Sequence, residues 1–432
     1  MSLRILLTGA TGLIGSAVLA RLRSEGHEVI AVVRAPDGAA RRLPASGLVV
    51  MDIARAARAE DWLPHLAGID AVVNCAGVLQ DSPTDSTAGV HTTGIAALFA
   101  ACEQAGVRRV IHFSAVGVDR AAPTAFSRTK RLGDQALMGQ DLDWVILRPS
   151  VVVGRAAYGG SALFRGLATL PILPVVPDTG PLMIVWLDDV VATVSFFLHA
   201  DAPARLVLEL VGPQALTFTQ VVRAFRRWLG YPPAREVPLP RGLAALFFYA
   251  GDLVGLLGWR PPMRSTARRE IARGASGDAS EWRRITGLVP RPLAAALAAE
   301  PASVQERWFA PLYVLKPVVF ATLSLYCIAT GAIALGPGFA AGEALMREAG
   351  LGSIAAPGVV AGALIDIAIG MAIAVRRTAR IGLQAGLALS LFYVIAVSAL
   401  LPRLWVDPLG PLVKIAPIIV LIVVALAVRD DR

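Results

Sequence analysis

The sequence predicts an α/β fold of the Rossmann type, a doubly wound parallel sheet, followed by an all-α domain of four transmembrane helices. Three observations predict it. Short apolar runs alternate with helical segments over residues 1 to 240. A glycine-spaced turn, GATGLIG from Gly9 to Gly15, separates the first apolar run from the first helical pattern. The chain from Tyr313 onward holds long uncharged stretches, and with 55% hydrophobic residues and a mean hydropathy of +0.61 its 432 residues are too apolar for a wholly soluble protein. The expected divisions are residues 1–215, a dinucleotide-binding domain; 216–310, a small membrane-proximal region; and 311–432, the membrane domain.

Each element follows in order. Arg4 to Thr8 is a strand-like apolar run, and Ala17, Val18, Leu19 and Leu22 carry the helical spacing that follows the turn. Gly9, Gly12 and Gly15 let the backbone approach a pyrophosphate, whose charge the amides and positive end of the next helix stabilise. With Thr11, Leu13 and Ile14 they make the first part of the expected cofactor site. HEVIAVVR (His27 to Arg34), GLVVMDI and DAVVNCAG supply the second, third and fourth strands. The regular glycines break what a signal peptide would need as an unbroken apolar core. Cys75, Cys102 and Cys327 lie far apart without a CxxC pair, so neither a disulfide framework nor a metal site is expected, and a reducing cytosol suits them.

Cofactor choice is read at the end of the second strand, where a carboxylate suits the ribose hydroxyls of NAD and a cation suits the extra phosphate of NADP. Arg34 stands there, with Arg41 and Arg42 behind it. NADP(H) is therefore expected in preference to NAD(H).

TGATGLIG, the Asp52-Ile53 pair, NCAG at Asn74 to Gly77, Ser114 and LRPSVVVG at Leu147 to Gly154 form an ordered set. Together they resemble an atypical or extended short-chain dehydrogenase/reductase, close to the NmrA-like proteins and the NAD(P)H-binding accessory subunit of respiratory complex I. The resemblance covers about residues 1 to 300. It implies that Asp52 and Ile53 flank the adenine, that Ala76 and Gly77 line the cofactor, and that Pro149, Ser150 and Val151 approach the nicotinamide. WLDDVV at Trp186 to Val191 resembles the segment that leads into the substrate side.

Active members of this superfamily use a serine and a YxxxK pair, in which the tyrosine exchanges the proton and the lysine holds the nicotinamide ribose. Ser114 and Lys130 fall in register, but Phe126 occupies the tyrosine position. Lys130 is the sole lysine before the membrane domain in a chain of 41 basic residues, which suggests that a compact ammonium is required there. Tyr158 and His112 are substitute acids by position. Each also has an ordinary reading, Tyr158 as a packing residue and His112 as a buried, hydrogen-bonded histidine.

Arg241 to Trp259 is apolar for about the length of a span, but a crossing would bury Asp252, so a helix against the domain or in the membrane interface is expected. The arginines at 260, 264, 268, 269, 273, 283 and 284 and the net charge of +9 fit either anionic headgroups or a solvated face. The nearby spans argue against nucleic acid. Four spans can be drawn, Tyr313 to Leu335, Pro357 to Val375, Ile381 to Leu401 and Pro411 to Val428. Arg376, Arg377 and Arg380 between the second and third place that loop, the N-terminal domain and the C-terminus in the cytoplasm of a multi-pass protein of the inner (cell) membrane. ALIDIAIGMAIA at Ala363 to Ala374 resembles the DoxX-like membrane domains. Its Asp366 is expected to face the bundle, as a proton or quinone-headgroup site or as a hydrogen-bonding strut.

Two function classes remain at this point. One is a membrane-anchored NADPH-dependent oxidoreductase acting on a quinone or lipid-like substrate. The other is a non-catalytic NADPH-binding structural or redox-sensing module that serves a membrane protein partner.

Overall fold

Among the described residues of the computed structural model (2–36, 38–83 and 85–429), seven parallel strands form one sheet. They are β1 (Arg4–Thr8), β2 (Glu28–Val33), β3 (Gly47–Val50), β4 (Ala71–Asn74), β5 (Arg109–Phe113), β6 (Asp143–Pro149) and β7 (Leu206–Leu210). Their order across the sheet is β7-β6-β5-β4-β1-β2-β3. The chain winds one way from β1 through β2 to β3 and the other way from β4 to β7. The reversal opens a crevice at the carboxyl ends of β1 and β4, the place where open α/β sheets hold ligands.

Burial on both faces explains the unbroken apolar strands. Ile5 and Leu7 point to one face, where Val18, Leu19 and Leu22 of α1 (Leu13–Ser24) meet Val194 and Phe197. Leu6 points to the other face, where Ile95, Leu98 and Phe99 of α2 (Gly94–Ala105) meet Leu137 of α3 (Ala125–Met138). Helices α4 (Gly159–Ala168), α5 (Leu187–Phe197) and α6 (Phe218–Trp228) follow, the last with a capping box between Thr217 and Gln220. Residues beyond 215 add to this same core. Trp282, in the short helix Ser280–Thr286, is fully buried and donates from Nε1 to Thr193 Oγ1 at 2.9 Å.

Contacts divide the chain into two compact units, residues 1–253 with 261–307, and residues 254–260 with 308–432. The second unit is helical. Val304–Leu335, Gly352–Ala374 and Ala379–Leu400 are long and apolar enough to cross a bilayer. Ile415–Val428, the fourth, has 14 residues and rises only about 21 Å. It is shorter than the span drawn from Pro411, because Pro411 to Lys414 form turns. An additional helix, Phe339–Glu348, separates the first two. Small residues let helices approach: a Cβ on Gly331 would lie 2.4 Å from the Ala363 carbonyl, and one on Gly370 2.7 Å from that of Ser324. Asp366 is half-buried.

The arginine-rich stretch does not form one basic face. Arg264 pairs with Asp252, Arg273 with Glu270 and the exposed Arg284 with Glu281, while Arg260, Arg268, Arg269 and Arg283 are exposed as well. The helical run Ser265–Arg273 turns Arg273 inward, where it donates to Ser127 Oγ and Gly117 O, and leaves Arg268 and Arg269 outside.

Trp282→Ala removes a buried indole and its hydrogen bond to the Thr193 hydroxyl, which keeps only its bond to the Asp189 carbonyl. It is expected to destabilise the Rossmann unit by about 3–5 kcal/mol. Proteolysis after graded heating should show the unit cleaved at a lower temperature than in the unmodified protein, and an unchanged profile would contradict this role for Trp282.

Candidate functional site

The turn after β1 is built from close backbone approaches. Gly9 has φ +69°, and a Cβ there would lie 2.6 Å from the Cys75 carbonyl after β4. A Cβ on Gly15 would lie 2.2 Å from Gly9 O, so the first turn of α1 lies directly on the loop. Gly12 differs: its N–H donates to Gly9 O at 2.9 Å, and its missing Cβ leaves backbone open beside the crevice. No side chain caps α1 and no acid lies in its first turn. Its first amides, with Thr11, Leu13 and Ile14 half-buried around them, are free of a side-chain cap and suited to a pyrophosphate.

At the edge of the crevice Arg34 follows β2. Its guanidinium donates to Asp85 Oδ1 at 3.0 Å and lies 3.9 Å from Asp52 Oδ1. Asp52 also accepts from the Ala54 amide at 3.2 Å. The Ile53 carbonyl sits against α2 so closely that a Cβ on Gly94 would lie 1.9 Å from it. The site therefore offers both a carboxylate and a cation to a ribose, and Asp85 is a competitor for Arg34 that the pattern of glycines and strands gave no reason to expect.

Under the crevice lies a buried polar chain. Thr8 Oγ1 and the Ala76 amide both donate to Asn74 Oδ1, at 2.5 and 3.2 Å, so Asn74 Nδ2 donates to His112 Nδ1 at 2.8 Å. The His112 proton is therefore on Nε2, which faces Asp134 Oδ1 at 3.4 Å. Asp134, 1% exposed, also accepts from Arg148 at 2.9 and 3.1 Å, and Arg148 reaches on to Asp119 at 3.0 Å. Burial alone would raise the Asp134 carboxyl, but His112, Ser114 and the Arg148 charge outweigh it and hold it below the usual carboxylate range. Burial lowers His112, against the pull of Asp134, and the ring stays neutral.

Lys130 stands one helical turn before Asp134 on α3 and is 4% exposed. Its Nζ donates to Phe113 O at 2.7 Å and Ala76 O at 3.3 Å. Gly77 leaves the space above the amine open, since a Cβ there would lie 3.3 Å from Nζ. Burial pushes the Lys130 amine down to about 8, against the opposing charges of Asp134 and Cys75. Ser114 Oγ is buried near Asp134 and completes no hydrogen bond of normal geometry, which leaves its hydroxyl orphaned.

Phe126 is half-buried and meets the His91 ring edge-on at 5.6 Å between centroids. His91 accepts from the Val78 amide at Nε2, 2.9 Å away, so its proton is on Nδ1, 3.0 Å from Thr129 Oγ1. Burial first, then the charge of Lys130, lower its pKa to about 2. It is a neutral support for the loop after β4. A tyrosine hydroxyl has no counterpart here.

The remaining expected residues fall into two groups. Pro149 O accepts from Val116 N at 3.1 Å, Ser150 Oγ donates to Met183 O, and Val151 O accepts from Val185 N at 3.1 Å, which ties this segment down beside the crevice. Tyr158 caps α4 through paired bonds with Ser161, whereas the Lys130 amine donates to Phe113 O and Ala76 O. Asp134 and His91 escaped notice in the sequence, and Asn74 and Arg148 stood there only inside the NCAG and LRPSVVVG motifs, with no role of their own. An acid four residues after the solitary lysine was the available signal for Asp134.

Residues 9–164 match the NAD(P)H-binding family model, and residues 324–423 match the DoxX-like family. The chain is 29% identical over 325 residues to a 3-diazoavenalumate denitrifying reductase of a Streptomyces species, covering 65% of this chain and 96% of the relative. It is 27% identical over 331 residues to sterol demethylase protein B of Methylococcus capsulatus, covering 70% and 98%. UDP-glucuronic acid 4-epimerase from Bacillus cereus, solved with UDP-glucuronic acid and NAD, superposes with a TM-score of 0.52 at 18% identity, covering 72% of this chain and all of that one, a likeness of fold. The chain thus carries an NAD(P)H-binding domain with a Rossmann-like parallel sheet, joined to a DoxX-like domain.

Proposed function

We propose that this protein is a membrane-anchored, NADPH-dependent oxidoreductase that reduces a carbonyl or quinone group on a hydrophobic substrate. The observation that carries this reading is the pairing of a buried, partly desolvated Lys130 amine with the orphaned Ser114 hydroxyl beside the glycine-built crevice. Gly9, Gly12, Gly15 and the first amides of α1 would hold the pyrophosphate, Arg34 and Asp52 the adenosine ribose, and Lys130 the nicotinamide ribose. When bound, the cofactor supplies the hydride. The chain must then deliver one proton to the substrate oxygen. Ser114 orients that oxygen, and the Lys130 ammonium, with an amine of pKa about 8, is an acid matched to neutral pH. Asp134 holds positive charge at Lys130 and does not itself reach the substrate. A sterol-related relative and the DoxX-like domain support a lipid-phase substrate.

The Rossmann unit and C-terminus are assigned to the cytoplasm of the cell membrane. Arg376, Arg377 and Arg380 follow the second span, whereas Arg347 and Arg403 of the opposite loops pair with Glu343 and Glu348. A second reading, favoured by Phe126 alone, is a nucleotide-holding module that serves a membrane partner without turnover.

NADPH should bind more tightly than NADH. Arg34→Ala is expected to remove the preference, a loss of about 1.5–3 kcal/mol or roughly ten- to a hundredfold. Asp85→Asn should strengthen it by releasing the guanidinium. Equal affinities in the unmodified protein, by fluorescence titration, would contradict the assignment.

The reduction rate should fall as pH rises through about 8, because the active form carries the Lys130 proton that is lost there. Lys130→Met should abolish turnover and weaken nucleotide binding. Phe126→Tyr should raise turnover roughly 10²-fold by adding a hydroxyl acid and should extend activity above pH 8. A rate flat across that range in the unmodified protein would rule out Lys130 as the acid; nucleotide binding without reduction of any quinone or lipid carbonyl would favour the second reading.

A further inference from the structure

Helix α7 (Arg241–Leu256) has two apolar faces. Ala244, Phe248, Gly251 and Gly255 are buried, and a Cβ on Gly251 would lie 1.8 Å from the Met263 carbonyl, so this face is closed by its own domain. Leu243, Leu246, Phe247, Leu253 and Val254 recur at helical spacing on the other side and are 41–66% exposed. No charged residue interrupts that stripe. The one acid of the helix, Asp252, is turned inward, where it accepts from Gln80 Nε2 at 3.0 Å and from Arg264 and the Ser265 amide. An exposed stripe of large apolar side chains this long marks an interaction surface.

Three observations say that lipid covers it. With 16 residues the helix rises about 24 Å, too short to cross a bilayer. The residues that follow it belong to the helical unit: Arg376 N donates to Leu257 O at 3.0 Å, Trp259 Nε1 to Ala374 O at 2.7 Å, and the Trp259 ring meets Phe320 at 4.9 Å. Leu257 and Trp259 are therefore held at the end of the span Gly352–Ala374, where Arg376, Arg377 and Arg380 mark the membrane boundary. Beside α7 is a cavity of about 290 Å³ walled by Ala245, Phe248 and Tyr249, by Asp178, whose carboxylate pairs with Arg241, and by Arg268 and Arg269 of helix α8 (Ser265–Arg273). Both arginines are exposed.

We propose that α7 lies in the bilayer interface, its Leu243–Val254 stripe among the acyl chains, and that Arg268 and Arg269 hold the phosphate of an anionic phospholipid at the neighbouring cavity. An amphipathic surface helix flanked by cations binds in this way. The proposal does not depend on turnover at the nucleotide site.

The test uses the full chain in proteoliposomes of phosphatidylcholine with phosphatidylglycerol. In a Cys327→Ser background the thiols of Cys75 and Cys102, raised by burial, stay unreactive near pH 7. Leu246→Cys, Leu253→Cys and the exposed control Arg128→Cys each then take one polarity-sensitive fluorophore. Labels at 246 and 253 should be quenched several-fold more by doxyl-labelled lipid than by aqueous iodide, and the label at 128 the reverse. Doxyl-phosphatidylglycerol should quench more than doxyl-phosphatidylcholine at equal mole fraction. Arg268→Gln with Arg269→Gln should abolish that difference, whereas added inorganic phosphate should not. Iodide quenching at 246 equal to that at 128 would overturn the proposal, as would shielding from both quenchers, the mark of a protein partner. Equal quenching by the two lipids in the unmodified protein would overturn the phosphate site.

Discussion

A carboxylate taken out of water must be neutralised where it stands, and Asp134 imposes that condition on the centre of the Rossmann unit. Arg148 from β6 and His112 from β5 meet it from two strands, while Asp134 itself comes from α3. Removing Arg148 would leave a buried charge uncompensated, which is far more costly than the pair is stabilising, while removing His112 would take away the neutral ring that faces the same carboxylate. The same helix carries Lys130 one turn earlier. Fixing Asp134 therefore fixes the height and rotation of α3, and with them the amine against Phe113 O and Ala76 O. His112 passes the constraint to Asn74, whose amide holds the loop after β4 through the Ala76 N–H. One buried charge thus positions the lysine, the serine and the loop that lines the crevice.

The other half of the crevice depends on sterics. Gly9 and Gly15 bring the turn after β1, the loop after β4 and the first turn of α1 within contact of one another, where any side chain would collide with backbone. Electrostatics builds the side that holds Lys130, and steric exclusion builds the side of the glycine turn. They meet at Ala76 and Gly77, where a missing side chain exposes the amine.

This division explains what could be read in the chain. The glycine turn was legible because steric demands leave a local spacing, and Lys130 because it stands alone in an arginine-rich composition. His112 could be read either as a substitute acid or as a buried, hydrogen-bonded histidine, and it is buried and bonded to Asn74. Asp134 and Arg148 were not legible as a pair, since 14 residues and a turn separate residues that meet at 2.9 Å. Asp85 lies 51 positions from Arg34, so its hold on that guanidinium left no local trace. The arginine stretch read as a single charged face because composition ignores direction; helical geometry sends Arg264 and Arg273 inward and leaves Arg268 and Arg269 outside. Hydropathy located the apolar helices, but not the turns at Pro411 to Lys414 that shorten the last one.

The claim that joins both units is transfer of a hydride from nicotinamide to a substrate dissolved in lipid. Membranes containing the protein can be supplied with NADPH deuterated at one face of C4, then with its opposite epimer, and the extracted lipids and quinones read by mass spectrometry. The account predicts one deuterium in a reduced product with one epimer only, and loss of that label in Lys130→Met membranes. Nucleotide bound at the site with no deuterium reaching any lipid or quinone from either epimer would contradict it.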